Sequence, residues 1–249
     1  METPLIEFKD VYKAFDGNAV LKGVNLTILK GQVTAIIGKS GTGKSVLLKH
    51  IVGLLQPDSG QVLIDGQPLT GMDRIQQRQL KKRCSYMFQN NALFDSMTIY
   101  DNIALPLVER DRLRGESVRQ RVQTKMAQLD IVDIERKYPS QLSGGMKKRV
   151  AMARALITEP EIVLFDEPTT GLDPIRKKAA YRMITDYQQR FGFTGVLVSH
   201  DIPDIFFISH QIAMLDEGQI IFEGGCREIQ ASQDPVVKEF VGGMSGVYQ

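Results

Sequence analysis

Cysteine is scarce in this chain. Its 249 residues include only Cys84 and Cys226, which form no close-spaced metal motif and no disulfide framework. Both read as small buried hydrophobes. Neither sign of charge is in excess: 31 basic against 29 acidic residues leave a formal +2, which creates no field that implies nucleic acid as a partner. The chain has no run of about 18 apolar residues, so no bilayer span is expected. The opening Met1-Glu2-Thr3-Pro4-Leu5 lacks the basic and apolar regions of a secretion signal. Internal repeats and low-complexity tracts are missing too. What is present, 43% hydrophobic and 24% charged residues, is the make-up of an ordinary folded protein. The length fits one large domain or one domain with an inserted subdomain. Together these features lead to the expectation of a cytoplasmic protein.

Apolar runs of strand length alternate with helical patterns. Strands are expected over Leu5–Val11, Val24–Leu29, Val33–Ile37, Gln61–Gly66, Ser85–Phe88, Ile162–Phe165 and Val196–Val198. Ile212–Leu215 and Gln219–Phe222 flank the turn Asp216-Glu217-Gly218, a hairpin signal. Helices are expected over Lys44–Leu54, Ser143–Ile157 and Pro174–Arg190, the last with Asp173 as N-cap. From Thr98 to about Lys137 charges crowd in and the period turns helical, which reads as an inserted helical subdomain. The tail carries one weak amphipathic stretch, Val236–Val241. Strands alternating with helices imply an α/β core around a largely parallel sheet.

Two motifs carry chemistry. Gly38-Lys39-Ser40-Gly41-Thr42-Gly43-Lys44-Ser45 matches G-x-x-x-x-G-K-[ST] between an expected strand and an expected helix. Glycines there let backbone N–H groups converge on phosphate oxygens at a helix N-terminus. Lys44 would reach the β- and γ-phosphates and Ser45 would offer its hydroxyl to Mg2+. The second motif is the strand Ile162–Phe165 running into Asp166-Glu167. Asp166, at the C-terminal edge of a parallel sheet, suits a carboxylate that holds Mg2+ through water. Glu167 suits the base that polarises the attacking water, provided it is aimed in line with the γ-phosphate.

With these motifs in place the chain resembles the nucleotide-binding ATPase subunits of ABC transporters, over roughly residues 5–225. Leu142-Ser143-Gly144-Gly145-Met146 is similar to the family's LSGGQ signature, with methionine in place of glutamine. Gln89 matches the Q-loop, Gly171-Leu172-Asp173 the D-loop, His200 the switch histidine, and Phe15 the adenine-stacking aromatic. The resemblance implies a P-loop NTPase fold of the ABC ATPase kind: a RecA-like core with an antiparallel β subdomain and an inserted helical subdomain. It divides a single domain over 1–249 into core segments 1–90 and 158–225, a helical subdomain of about 91–157 and a tail, 226–249. It implies ATP and Mg2+ as ligands. Lys44, Gln89, Glu167 and His200 take the catalytic roles, with His200 on the γ-phosphate. Ser45, Gln89 and Asp166 lie on the metal side. Phe15, residues 38–45, Ser143, Gly144, Gly145 and Asp173 contact nucleotide. Phe15 as core and Gln89 as an ordinary strand-end amide remain competing readings, and His50 and His210 have no such context and read as structural.

Ser143, Gly144 and Gly145 read from the residues alone as a capped helix start whose N–H groups face a ligand, a second anion site in one chain. In the family the signature of one subunit closes over the ATP of the other, which implies a two-fold homodimer with two composite sites. The permease is then a separate membrane chain, and the ATPase sits on the cytoplasmic face of the inner membrane. Met146, Lys147-Lys148-Arg149, the segment Thr98–Leu107 and the short tail look most like the Mla-type ATPases of phospholipid trafficking. That resemblance adds an MCE-domain lipid-binding protein and a STAS-domain companion as candidate partners, and no nucleic acid. Rival readings are the ATPase of another importer, such as an amino-acid system, and a soluble non-transport ABC protein. Lys147-Lys148-Arg149 is expected to be a solvated helix face. The tail packs either on its own core or on a second copy.

Overall fold

The computed structural model describes residues 3–88, 92–202 and 204–242. Near its start Asp16 and Gly17 both take left-handed φ, 49° and 81°, and Phe15 pairs directly with Asn18. That is a two-residue turn of the kind whose twist matches paired strands. It joins β1 (Pro4–Phe15) to β2 (Asn18–Leu29), longer strands than the alternation predicts. Asp65-Gly66 repeats the device between β4 (Ser59–Ile64) and β5 (Gln67–Pro68), completing an antiparallel sheet in the order β2-β1-β4-β5.

A second sheet runs β10-β9-β3-β8-β7-β6. Its strands are β3 (Val33–Ile37), β6 (Cys84–Met87), β7 (Ile162–Asp166), β8 (Thr194–Ser199), β9 (Gln211–Asp216) and β10 (Gln219–Gly224). All neighbours pair in parallel except the hairpin β9–β10. Both faces are covered, so these strands read as continuous apolar runs. Their residues still divide by the pleat. Ile36, Leu164, Val196 and Val198 pack with α1 (Lys44–Ile51) and the antiparallel sheet. Ala35, Phe165, Leu197 and Met214 pack into the larger cluster on the opposite face.

That larger cluster takes in α3 (Ile99–Glu109), α4 (Glu116–Gln128) and α5 (Gly144–Leu156), all between β6 and β7. It also takes in α6 (Pro174–Phe191), which Asp173 caps as expected. The tail forms α7 (Cys226–Ala231) and α8 (Pro235–Gly242), and Val237 and Phe240 bury into the chain's own core. Cys84 is buried, and desolvation pushes its thiol up to about 12; Cys226 packs partly buried on the larger cluster.

The structure corrects two expectations and adds a helix. The helix from Lys44 ends at Ile51, three residues early. The added helix is α2 (Arg74–Arg83), in a stretch for which the sequence predicts no element. Asp73 accepts from the N–H groups of Ile75 and Gln76, and the Gln76 side chain accepts from Asp73 N–H, a reciprocal cap. Lys148 is not solvated: its side chain is buried and Nζ donates to the carbonyl of Pro168, while burial lowers its pKa to about 8. Among the described residues no helix is long and apolar enough to cross a membrane.

Candidate active site

β3, β8 and β7 lie side by side in parallel, so their C-terminal ends open on one edge of the sheet. The loop after β3 is residues 38–43, the loop after β7 begins at Glu167, and His200 follows β8 directly. Sheet order therefore gathers residues that lie more than a hundred positions apart in sequence.

Glycine is required in the phosphate loop for two reasons. Gly38 (φ +152°) has no room for a Cβ, which would lie 2.2 Å from the Leu215 carbonyl, and at Gly43 (φ +103°) a Cβ would meet Val20 at 2.8 Å. Gly41 faces open space but holds φ +82°, the left-handed region that a side chain disfavours. Lys39 and Ser40 are exposed, and Thr42 hydroxyl donates to the Lys39 carbonyl. Lys44 is buried, and its ammonium donates to the carbonyls of Gly38 (2.9 Å) and Lys39 (2.7 Å). Burial lowers its pKa, against the opposing pull of Glu167 and Asp166. The lysine is thus curled over its own loop with both acids nearby.

Ser45 Oγ donates to Asp166 Oδ1 at 2.8 Å. Tyr86 Oη donates to the other oxygen, Oδ2, at 2.6 Å. Burial first, then this bond, raises the Tyr86 pKa, so the phenol stays a neutral donor. Glu167 has φ 47°, unusual for a residue with a side chain. Its two oxygens accept from Thr170 Oγ1 (2.9 Å) and His200 Nδ1 (3.2 Å). Since a carboxylate only accepts, the His200 proton sits on Nδ1 in this arrangement. Behind it Thr169 donates to Asp201, whose other oxygen takes Lys177 Nζ at 2.5 Å. Burial raises the Asp201 pKa, but the bonds from Lys177 and Thr169 outweigh it and hold the carboxyl below its usual range. Sequence reasoning does not single out Tyr86 or Thr170. The Thr169-Thr170 pair after Pro168 was the available signal for the second, and nothing in the local pattern marks the first.

Phe15 ends β1 at 40% exposure, with Lys13 Nζ 5.5 Å from its ring centre, and the hairpin it belongs to touches the phosphate loop where Val20 meets Gly43. Gln89 lies outside the described residues. His50 and His210 are bound to backbone, through Val46 O and Val33 N, away from this edge.

The residues expected to form a second anion site stand apart from the first. Ser143 caps α5, its hydroxyl accepting from Met146 N–H at 3.3 Å, and Asp173 caps α6 in the same way from Arg176 N–H. Ser143, Gly144 and Gly145 face an open cavity of about 360 Å³ between α5 and α6, lined also by Arg149, Arg176 and Met183 and by no residue of 38–45. A Cβ at Gly144 or Gly145 would meet nothing within 4 Å, and neither has a left-handed φ. Within this chain, then, no steric reason keeps them glycine.

The donors at the first site suit magnesium nucleotide. One hydroxyl and one carboxylate are hard oxygen ligands, few enough to leave positions for phosphate and water. No group of three or more acids, histidines or cysteines that could hold a metal ion occurs among the described residues.

The chain resembles known proteins in both sequence and fold. The family model for ABC transporters matches residues 21–170. The Escherichia coli K12 intermembrane phospholipid transport system ATP-binding protein MlaF is 36% identical over 241 residues, 97% of this chain and 90% of its own. Among solved structures, cbiO1 of Clostridium perfringens, part of the ABC transporter complex cbiONQ, superposes with TM-score 0.85 at 31% identity, covering 96% of this chain and 95% of its own. The dimeric, post-hydrolysis ATP-binding cassette MJ0796, bound to ADP and Pi, superposes with TM-score 0.77 at 32% identity, covering 90% and 99%.

Proposed function

This chain is an ATP-hydrolysing member of the ABC transporter family, and from that premise we propose that two copies close head to tail around two magnesium ATP molecules to drive a lipid permease. The observation that carries the proposal is the pair of unexplained glycines. Gly144 and Gly145 begin a helix whose first N–H groups have no intrahelical acceptor, and their missing side chains leave space that nothing in the chain fills. Space kept open at a helix N-terminus suits a phosphate brought by another molecule. MJ0796 is described as a dimer, and cbiO1 as part of a transporter complex.

In the closed pair the phosphate loop of one copy holds the triphosphate and Phe15 stacks on the adenine. Residues 143–145 of the other copy cap the γ-phosphate, with Asp173 at the seam. Lys44 leaves its loop carbonyls for the β- and γ-phosphates. Ser45 and Asp166, with Gln89, stand on the metal side, where Mg2+ would neutralise phosphate charge. Glu167, steadied by Thr170 and His200, orients the attacking water and takes its proton. His200 keeps Nδ1–H on the same carboxylate, and with Nε2 protonated as well the ring donates to the γ-phosphate, which links that phosphate to the base. Loss of that phosphate removes the ligand that favours the closed pair.

The name of the MlaF relative and the sequence likeness to the Mla-type ATPases support phospholipid as the cargo. A separate membrane-spanning permease, a place on the cytoplasmic face of the inner membrane, and MCE-domain and STAS-domain companions belong to the same reading.

Gly145→Asp tests it. In the lone chain an acid in the first turn of α5 favours the helix dipole, so the melting temperature should hold or rise. In the pair the same carboxylate meets the triphosphate. ATP-driven dimerisation, followed by light scattering, should fall at least tenfold in affinity. Unimpaired pairing would defeat the proposal.

A further inference from the structure

Asp166 has two carboxylate oxygens and both are held. Ser45 takes Oδ1, as a phosphate-loop serine beside a metal-side acid should. Tyr86 takes Oδ2 from β6, on the far side, at 2.6 Å. The tyrosine is itself fixed. Its backbone pairs with Leu164 of β7, and its ring packs on Phe88 with centres 4.5 Å apart. A side chain anchored at both ends cannot follow Asp166 if the carboxylate turns. The hydroxyl therefore sets that rotation and occupies the oxygen that faces away from Ser45.

We propose that Tyr86 is a positioning residue for the metal edge, holding Asp166 by Oδ2 so that Oδ1 and Ser45 Oγ meet the metal of bound nucleotide together. This rests on the reading of Ser45 and Asp166 as the metal side. Supporting partners of this kind orient ligands and tune them, and their loss typically costs about 10–100-fold in metal affinity. Tyr86→Phe keeps the ring and its stack and removes only the hydroxyl. Asp166 is then held through Oδ1 alone, and Oδ2 loses its donor.

The test uses Mn2+ as the probe with a non-hydrolysable ATP analogue. Metal affinity of the protein–nucleotide complex is read from the loss of the free Mn2+ electron paramagnetic resonance signal. Tyr86→Phe should weaken Mn2+ about tenfold, leaving metal-free nucleotide affinity unchanged. Ser45→Ala is the companion. If Ser45→Ala weakens Mn2+ and Tyr86→Phe does not, the role of Tyr86 is wrong while the metal edge stands. If Ser45→Ala leaves Mn2+ binding intact, the metal edge falls and the tyrosine's role with it. Equal losses with and without metal would make Tyr86 a packing residue, which also overturns the proposal.

Discussion

Glu167→Gln should bind ATP as tightly as the unmutated chain and hydrolyse it about 10²–10⁴-fold more slowly. It should also accumulate as a closed, ATP-filled pair. The structure separates these effects. Glutamine is isosteric, and its carbonyl can still accept from Thr170 or His200, so the loop after β7 keeps its shape. What it lacks is the basicity to take a proton from water. Binding, set by the phosphate loop, does not depend on that proton, but release of the γ-phosphate does. The measurement is single-turnover hydrolysis beside size-exclusion chromatography with ATP. Hydrolysis at the unmutated rate would remove Glu167 from the role of base.

Lys44→Ala should lose nucleotide affinity by about ten- to hundredfold. A hydrogen bond to a charged group contributes about 1.5–3 kcal/mol, and Lys44 makes two such bonds, to Gly38 and Lys39, before nucleotide arrives. These are given up as the phosphates bind, so the net gain stays within that range. The ammonium is buried, and desolvation already works against its charge. A triphosphate relieves that tension in a way that two carbonyls do not. Calorimetric titration with ATP gives the loss directly, and an unchanged dissociation constant would contradict the phosphate-loop assignment.

Where local pattern and chemistry coincide, the sequence is explicit about this molecule. The strand Val33–Ile37, the glycine-rich loop and Asp173 as the cap of α6 all stand where the residues place them. So does the hairpin around Gly218. Each depends on neighbours within a few positions. The Asp16-Gly17 turn and the cap at Asp73 and Gln76 had equally local signals, and reading them would have extended β1 and β2 and identified α2. Other features had no local signal. Lys148 sits in a basic triplet and looks solvated. Only the packing of α5 against the segment after β7 buries it, and it finds Pro168 there. Tyr86 reaches Asp166 because β6 lies beside β7, an adjacency that no window of sequence contains. The grip of His200 on Glu167 likewise arises from strand order. Sequence spacing names the chemical groups, and sheet topology decides which of them touch.

Ser40 and Ser143 are both exposed, one in the glycine-rich loop and the other capping α5. A Glu167→Gln chain carrying Ser40→Cys and Ser143→Cys, with Cys84 and Cys226 replaced by alanine, can be oxidised with magnesium ATP present and absent. Electrophoresis without reductant then reports which thiols have met. Completion of each nucleotide site by a second copy predicts an ATP-dependent product of twice the chain mass. Loss of both thiols in a product of single-chain mass would contradict it.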